Sequence, residues 1–413
     1  MMKRLLTILL CGVLLPAMIA SCQQPAELDF ESKQEIPDGP SGPGTGKAPH
    51  ALLFYFVGTS LDYYFGQNIA AVKSAVDDNI LGDCRIAYFR RDKGSDWQIA
   101  EIYYDRMTGK SATEVLKTYE DADLTQMESY LADMIELVPA ESYGLILGGH
   151  GSGWLPKSIG TSWPKTYSVG SSGAYIPPFG QMPCEGAMQT RYFGESLVNF
   201  DLDEIAGCME ASGAKFDYVI FDDCFMSNIE SLYALRHAAD YIIASPCEIM
   251  GDGFPYRTVI PALFEGREPD LEGVCRAFYD YYIDDSYPSG CVALTVCAEL
   301  DALAEAYKNL VAGPKREVDA SQLQYYEGLS RHLFYDFRQY AEALSDSNVL
   351  LNAFNEQFDR TFPESCRLHT PSYYSAYNNR FNDVDYYSGV TVSEPADRNA
   401  DLNRETEWYR ATH

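Results

Sequence analysis

Short apolar runs alternate with amphipathic stretches along most of the chain, and their periods separate strands from helices. Residues 51–57, Ala-Leu-Leu-Phe-Tyr-Phe-Val, are apolar throughout and stop at Gly58-Thr59-Ser60, which predicts a central strand buried on both faces. Ile69, Val72 and Val76 share one face of a predicted helix over 67–77. A second strand is predicted at 84–89, with 98–104 pairing near it as an edge hairpin. Leu124, Met127, Leu131 and Ile135 mark a helix over 124–137, and the apolar run 144–147 follows as a strand. A helix at 201–211, capped by Asp201 or Asp203, leads into a strand beginning at Phe216. Beyond it come a helix over 227–237, a strand at 241–244, a helix at 271–283 and a strand at 292–296. Strands alternating with helices predict an α/β fold, a mostly parallel sheet flanked by helices.

Three regions depart from this rhythm. Residues 155–188 lose periodicity and are rich in Gly, Ser, Pro and aromatics, too long for a passive connection and read as an excursion beside a site. Residues 300–413 open with helices and end in a strand at 389–392, with Tyr373, Tyr374, Tyr377, Tyr386 and Tyr387 read as packing. At the N-terminus, Met1-Met2-Lys3-Arg4 precedes an apolar stretch over 5–17 and Ile19-Ala20-Ser21-Cys22. This resembles a bacterial lipoprotein signal, with residues 1–21 removed and Cys22 carrying lipid, an acyl anchor with no helix spanning the bilayer. Residues 22–49, containing Pro40-Ser41-Gly42-Pro43-Gly44-Thr45-Gly46, read as a flexible tether. The expected organisation is signal 1–21, tether 22–49, core 50–299 and a C-terminal region 300–413 packed on that core.

Composition adds constraints rather than elements. With 413 residues, 46% hydrophobic and 22% charged, the chain is long enough for one large domain with an accessory part. A formal net charge of -29 opposes phosphate backbones, so no nucleic-acid partner is expected. Of eleven cysteines, setting aside Cys11, Cys22 and Cys224 leaves eight, an even number that permits disulfides in an exported chain but names none. No CxxC pair with zinc spacing occurs.

Two strand ends carry chemistry. Phe216-Asp217-Tyr218-Val219-Ile220-Phe221-Asp222-Asp223-Cys224 runs from apolar strand into two carboxylates and a thiol, and Leu145-Ile146-Leu147-Gly148-Gly149-His150-Gly151 ends in a histidine among glycines. An imidazole that takes a thiol's proton and later protonates a leaving amine makes cysteine a nucleophile. If the two strands are neighbours in a parallel sheet, Cys224 and His150 stand on one rim. Glycine lets main chain approach a substrate carbonyl, and the amides of Gly151 and Cys224 are expected to form an oxyanion hole. His50, His237, His332, His369 and His413 lack that glycine setting.

His150-Gly151 and Asp222-Asp223-Cys224-Phe225-Met226 resemble the motifs of the clostripain-like cysteine peptidases, relatives of gingipain, legumain and caspases. Gly251-Asp252-Gly253-Phe254-Pro255-Tyr256 and Ser388-Gly389-Val390-Thr391-Val392 agree, and the likeness spans about 51–413. The resemblance implies a caspase-like fold, a Cys224–His150 dyad and a thioester acyl-enzyme acting on protein or peptide. It makes Asp222 and Asp252 the acids of a pocket favouring Arg or Lys. By the period of two, Asp222 is expected on the same side as Cys224. Maturation by cleavage between the two motifs is implied, with Lys157, Lys165 and Arg191 available. No metal or other cofactor is expected from the residues; calcium enters only through the resemblance, and no EF-hand spacing is present. Asp223 stands where the family has a small residue, and a like charge beside the thiol works against thiolate formation. That departure favours a competing reading, a catalytically silent cell-surface binding lipoprotein on the same fold. A zinc hydrolase using His150 with Asp222 and Asp223 would have only one histidine. The expected location is the bacterial cell envelope, membrane-anchored through Cys22.

Overall fold

Strand β1 (Ala48–Phe56) shows how the fold sorts its side chains. Leu53 and Tyr55 join one core layer, while Leu52, Phe54 and Phe56 join the other, as a strand buried on both faces requires. The computed structural model describes residues 44, 46–58, 61–91, 94–156, 190 and 200–413. All of them lie in one unit, Ile36–His413. The signal reading of 1–21, the lipid site Cys22, Cys184 and the stretch 157–189 fall outside the described residues. Strand β1 begins before the apolar run because Ala48 pairs with Ala140 and donates its N–H to Pro139 O at 2.9 Å.

After helix α1 (Asp62–Val76) come β2 (Arg85–Arg90), β3 (Trp97–Asp105) and β4 (Lys110–Tyr119). Helix α2 (Met127–Leu137) leads to β5 (Ala140–Gly148), and helix α3 (Leu202–Ala211) to β6 (Phe216–Asp222). Asp201 caps α3 in a capping box whose partner is Glu204. Helix α4 (Ile229–Ala234), β7 (Ala239–Ala244), helices α5 (Tyr256–Phe264) and α6 (Leu271–Ile283), and β8 (Cys291–Val296) complete the expected core. Strands β2, β1, β5, β6 and β7 are parallel neighbours in that order, while β8 and the β3–β4 hairpin run antiparallel at the two sides.

Helix α2 packs Met127, Leu131 and Met134 on the Tyr55 side, whereas α1, α5 and α6 cover the Phe54 side with Phe65, Val72, Tyr256 and Phe278. Strand β4 and helix α5 were not expected. Strand β4 is a polar, largely exposed edge with Lys110 and Lys117 along it, so it lacks the alternation that reveals a half-buried strand. Helix α5 contains Pro261 and follows Pro255, both of which read as breaks.

The C-terminal region packs on the Tyr55 side and is woven into the core. Tyr307 and Phe337 lie 5.4 and 5.5 Å from the Trp408 ring, centroid to centroid. Strands β9 (Tyr335–Asp336), β10 (Leu368–His369), β11 (Ser372–Ser375), β12 (Arg380–Asp383) and β13 (Thr391–Val392) follow in chain order. Strand β10 pairs with β8 and becomes the ninth strand of the central sheet, and β13 pairs with β9.

One buried ion pair ties β2 to β3: Arg85 Nε and Nη2 donate to Glu101 Oε1 and Oε2 at 2.8 and 2.5 Å. Removing one partner leaves the other charge uncompensated in the interior, so Glu101→Ala is expected to lower the unfolding free energy by about 3–5 kcal/mol. Urea denaturation checks this; an unchanged midpoint would mean the pair contributes nothing net.

Candidate active site

Strands β5 and β6 pair in parallel up to Gly148 opposite Asp222, and both strands end there. His150 and Cys224 therefore each stand two residues past the same rung of the ladder. The two chain segments touch: a Cβ built on Gly151 would fall 2.1 Å from Cys224 O and 2.9 Å from Cys224 N. Only glycine allows that approach. Gly153 has φ +61°, and a side chain there would meet Asn228 Nδ2 at 2.8 Å. His150 itself is half-buried.

Cys224 is fully buried. Ile249 N donates to its Sγ at 3.3 Å, and the Sγ lies 3.8 Å from Ile249 O. An amide aimed at sulfur is a partner that an anionic sulfur can use. Phe225, the next residue, has φ +63°, a conformation that costs of order 1–3 kcal/mol and persists only where the surroundings impose it. Here they do: Phe225 N donates to Cys247 O at 3.1 Å, Ser227 N donates to Ser245 O at 2.9 Å, and the Asn228 side chain donates to Phe225 O. Asn228 Oδ1 also accepts Ser231 N–H at 2.9 Å, capping α4.

Asp222 is buried, and both carboxylate oxygens are engaged. Phe254 N donates to Oδ1 at 3.2 Å and Tyr256 OH to Oδ2 at 2.5 Å. Those partners belong to the core layer of Phe54, as does Ile249 whose amide meets Cys224 Sγ, while Cys224 itself packs with the layer of Tyr55. Strand β6 ends at Asp222, and the chain turns at Phe225 just past Cys224. Asp223 is buried between them in sequence. Asp252 is exposed, and its main-chain oxygen accepts Asn68 Nδ2 at 2.8 Å.

Two buried acids near these loops were not foreseen. Glu248 accepts Thr190 Oγ1 at 2.9 Å and Ala376 N at 3.1 Å, and burial pushes its carboxyl up to about 7. Thr190 also forms a β-bridge with Met250, so it sits beside the loop whose Ile249 amide meets Cys224. A carboxylate inside Ser-Pro-Cys-Glu-Ile-Met was the available signal for Glu248. The second acid, Glu230 on α4, accepts Ser393 N at 2.7 Å and Asn403 Nδ2 at 2.9 Å. Ser393 Oγ in turn accepts Trp154 Nε1 at 2.7 Å, and Ser227 donates to Gly389 O at 2.7 Å. The tail strand is thus bonded to the loops after both β5 and β6. Among the described residues no three His, Cys, Asp or Glu converge on a metal-sized site.

Burial pushes the Glu230 carboxyl up to about 7, against the hydrogen bonds from Ser393 and Asn403 that favour its charge. A carboxyl raised on folding adds stability below its unfolded pKa, and that contribution is lost as pH rises through the folded value. Across about pH 4.5 to 7 the wild type is expected to lose stability that Glu230→Gln keeps. Thermal melts at pH 5 and 8 should show the variant gaining relative to wild type at the higher pH; a gap independent of pH would refute the assignment.

A sulfur nucleophile candidate, an imidazole past the adjacent strand end and main-chain amides between them are the parts that acyl transfer through sulfur requires. Residues 190–407 match the sequence model of the clostripain family. Among solved structures, the secreted C11 cysteine protease iotapain from Bacteroides thetaiotaomicron is 32% identical, with a TM-score of 0.77 over 89% of this chain and 100% of that one. An inactive zymogen of a C11 protease from Parabacteroides distasonis is 27% identical, with a TM-score of 0.73 over 89% and 99%. A second secreted C11 protease from Bacteroides thetaiotaomicron, in complex with an irreversible peptide inhibitor, shares the fold at 22% identity and a TM-score of 0.71, over 89% and 99%. No protein of curated function matches. With its mostly parallel caspase-like sheet and these relatives, the chain belongs to the clostripain (C11) family of cysteine peptidases.

Proposed function

We propose that this peptidase cleaves after Arg or Lys with Cys224 as nucleophile and His150 as its proton acceptor. The observation that supports this most is the contact of Gly151 with the Cys224 main chain at the in-register ends of β5 and β6. His150 takes the thiol proton as Cys224 Sγ attacks the scissile carbonyl. The amides of Gly151 and Cys224 receive the oxyanion. Collapse expels the amine, which leaves with the proton from His150, and water then hydrolyses the thioester.

Basic specificity rests on two carboxylates in different settings. Asp252 is exposed and meets the substrate cation, while buried Asp222 holds the adjoining 254–256 segment through Phe254 N and Tyr256 OH. Peptide substrates are in keeping with the peptide inhibitor bound to the related protease. Export through residues 1–21 accords with the secreted description of iotapain, and Cys22 would then carry the lipid. No described helix is long and apolar enough to cross a membrane.

Peptide reporters with Arg, Lys or a neutral residue before the scissile bond test the assignment. Cys224→Ala and His150→Ala are expected to abolish turnover, and Asp252→Asn to raise KM for basic reporters by about tenfold, the value of roughly 1.4 kcal/mol. Full activity of either dyad variant would remove the mechanism, and a preference for neutral residues would remove the pocket. Gly151→Ala should cost about 100-fold in kcat by displacing the His150 loop. A variant as fast as wild type would mean that the contact does not position the site.

A further inference from the structure

Four cysteines that take no part in the proposed chemistry meet in two pairs near the β8 side of the sheet. Cys247 and Cys291 are fully buried members of one small cluster with Tyr326, Tyr373 and Val384. The topology brings them together: β7 and β8 run antiparallel with Ala244 opposite Ala293, so the loop leaving β7 passes the start of β8, where Cys291 stands. Cys275 on α6 and Cys366, in the turn Glu364–Cys366 that leads into β10, form the second pair. Helix α6 packs against that turn, and both thiols are buried in the Phe54 layer. Since no three ligating side chains converge among the described residues, these are two dithiols rather than a metal-ligand set. All four carry free thiols.

We propose that Cys247–Cys291 and Cys275–Cys366 are disulfide sites, each closed by exchange with an external disulfide, either a small molecule or an oxidoreductase. The inference rests on the export proposed above, because such bridges persist in oxidising compartments. Thiols brought together by packed neighbouring elements need only side-chain rotations to reach the S–S bond length of about 2.05 Å. In the second pair Cys366 is the attacking group. Its interaction with the Cys275 thiol holds it below the usual range, and the same interaction, then burial, raises Cys275. Cys366 Sγ attacks one sulfur of the external disulfide and expels the first thiolate. Cys275 Sγ then attacks Cys366 Sγ in the mixed disulfide and expels the second. The protein dithiol is oxidised, the external disulfide is reduced to two thiols, and the two protons pass to the departing sulfurs.

The first bridge bears on the active site. Cys247 O accepts the amide of Phe225 at 3.1 Å, and Ile249, two residues on, donates its amide to Cys224 Sγ at 3.3 Å. Closing Cys247 onto Cys291 would fix to β8 the loop that contacts the nucleophile.

The test uses the full chain carrying Cys224→Ala, oxidised with glutathione disulfide, trapped with N-ethylmaleimide and mapped by mass spectrometry without reduction. Peptides joining Cys247 to Cys291 and Cys275 to Cys366 are expected, with a reductant-reversible rise in Tm of roughly 5 °C. Adding Cys366→Ser should remove the second crosslink and leave the first. Recovery of the four cysteines as alkylated or singly glutathionylated, or crosslinked instead to Cys84 or Cys208, would overturn the proposal. Mapping the chain recovered from cells without reductant separates the two readings. Bridges that close in vitro but are open in cells would support the pairing and overturn the export. Absence of turnover by the chain with Cys224 intact would overturn the proposed function and leave the crosslink map unmoved.

Discussion

The parallel pairing of β5 with β6, held in register to the rung where Gly148 faces Asp222, is the constraint from which the site follows. Both strands are buried on both faces, so a slip of one residue would turn every side chain of β6 into the wrong core layer. The register that places Val219 and Phe221 with α2, and Tyr218 and Ile220 with α1 and α5, also fixes how far His150 and Cys224 project past the sheet. Core packing and site geometry are therefore one specification. Everything added beyond the rim, from Gly151 to the tail strand, works on segments whose starting points are already set.

Past the rim the chain is held by polar contacts rather than by burial alone. The left-handed Phe225 persists because the carbonyls of Cys247 and Ser245 and the cap residue Asn228 receive or supply the hydrogen bonds around it. Asp222 serves the neighbouring loop, with Phe254 N and Tyr256 OH as its partners, so a carboxylate at the site also organises the segment that carries Asp252. Glu230 and Glu248 are buried acids whose solvation is replaced by amides and hydroxyls from the C-terminal region and from Thr190. The C-terminal region is consequently part of the site's support.

Much of this arrangement was legible in the sequence. The apolar runs that became β1, β5 and β6 are buried on both faces, which leaves uninterrupted hydrophobic stretches, and the chemistry sits where those stretches stop. The polar edge strand β4 and the proline-bearing α5 were not legible, because neither has the periodicity of a half-buried element. The turn at Phe225 was not legible either, because nothing in the local sequence marks a positive φ at a bulky residue. Glu230 and its partners were invisible for a different reason: their meaning lies in contacts with residues more than 160 positions away, Ser393 at a separation of 163 and Asn403 at 173. No local pattern records such a pairing.

The bond from Trp154 to Ser393 joins residues 239 positions apart. Strands β5 and β6 pair with each other, and the Phe225 and Ser227 amides find their acceptors by Cys247. The segment just after His150 instead takes its Trp154 anchor from Ser393, beside β13. One side of the site is thus framed by contacts of modest sequence separation, while the other waits on a long-range closure, the slower kind of event in folding.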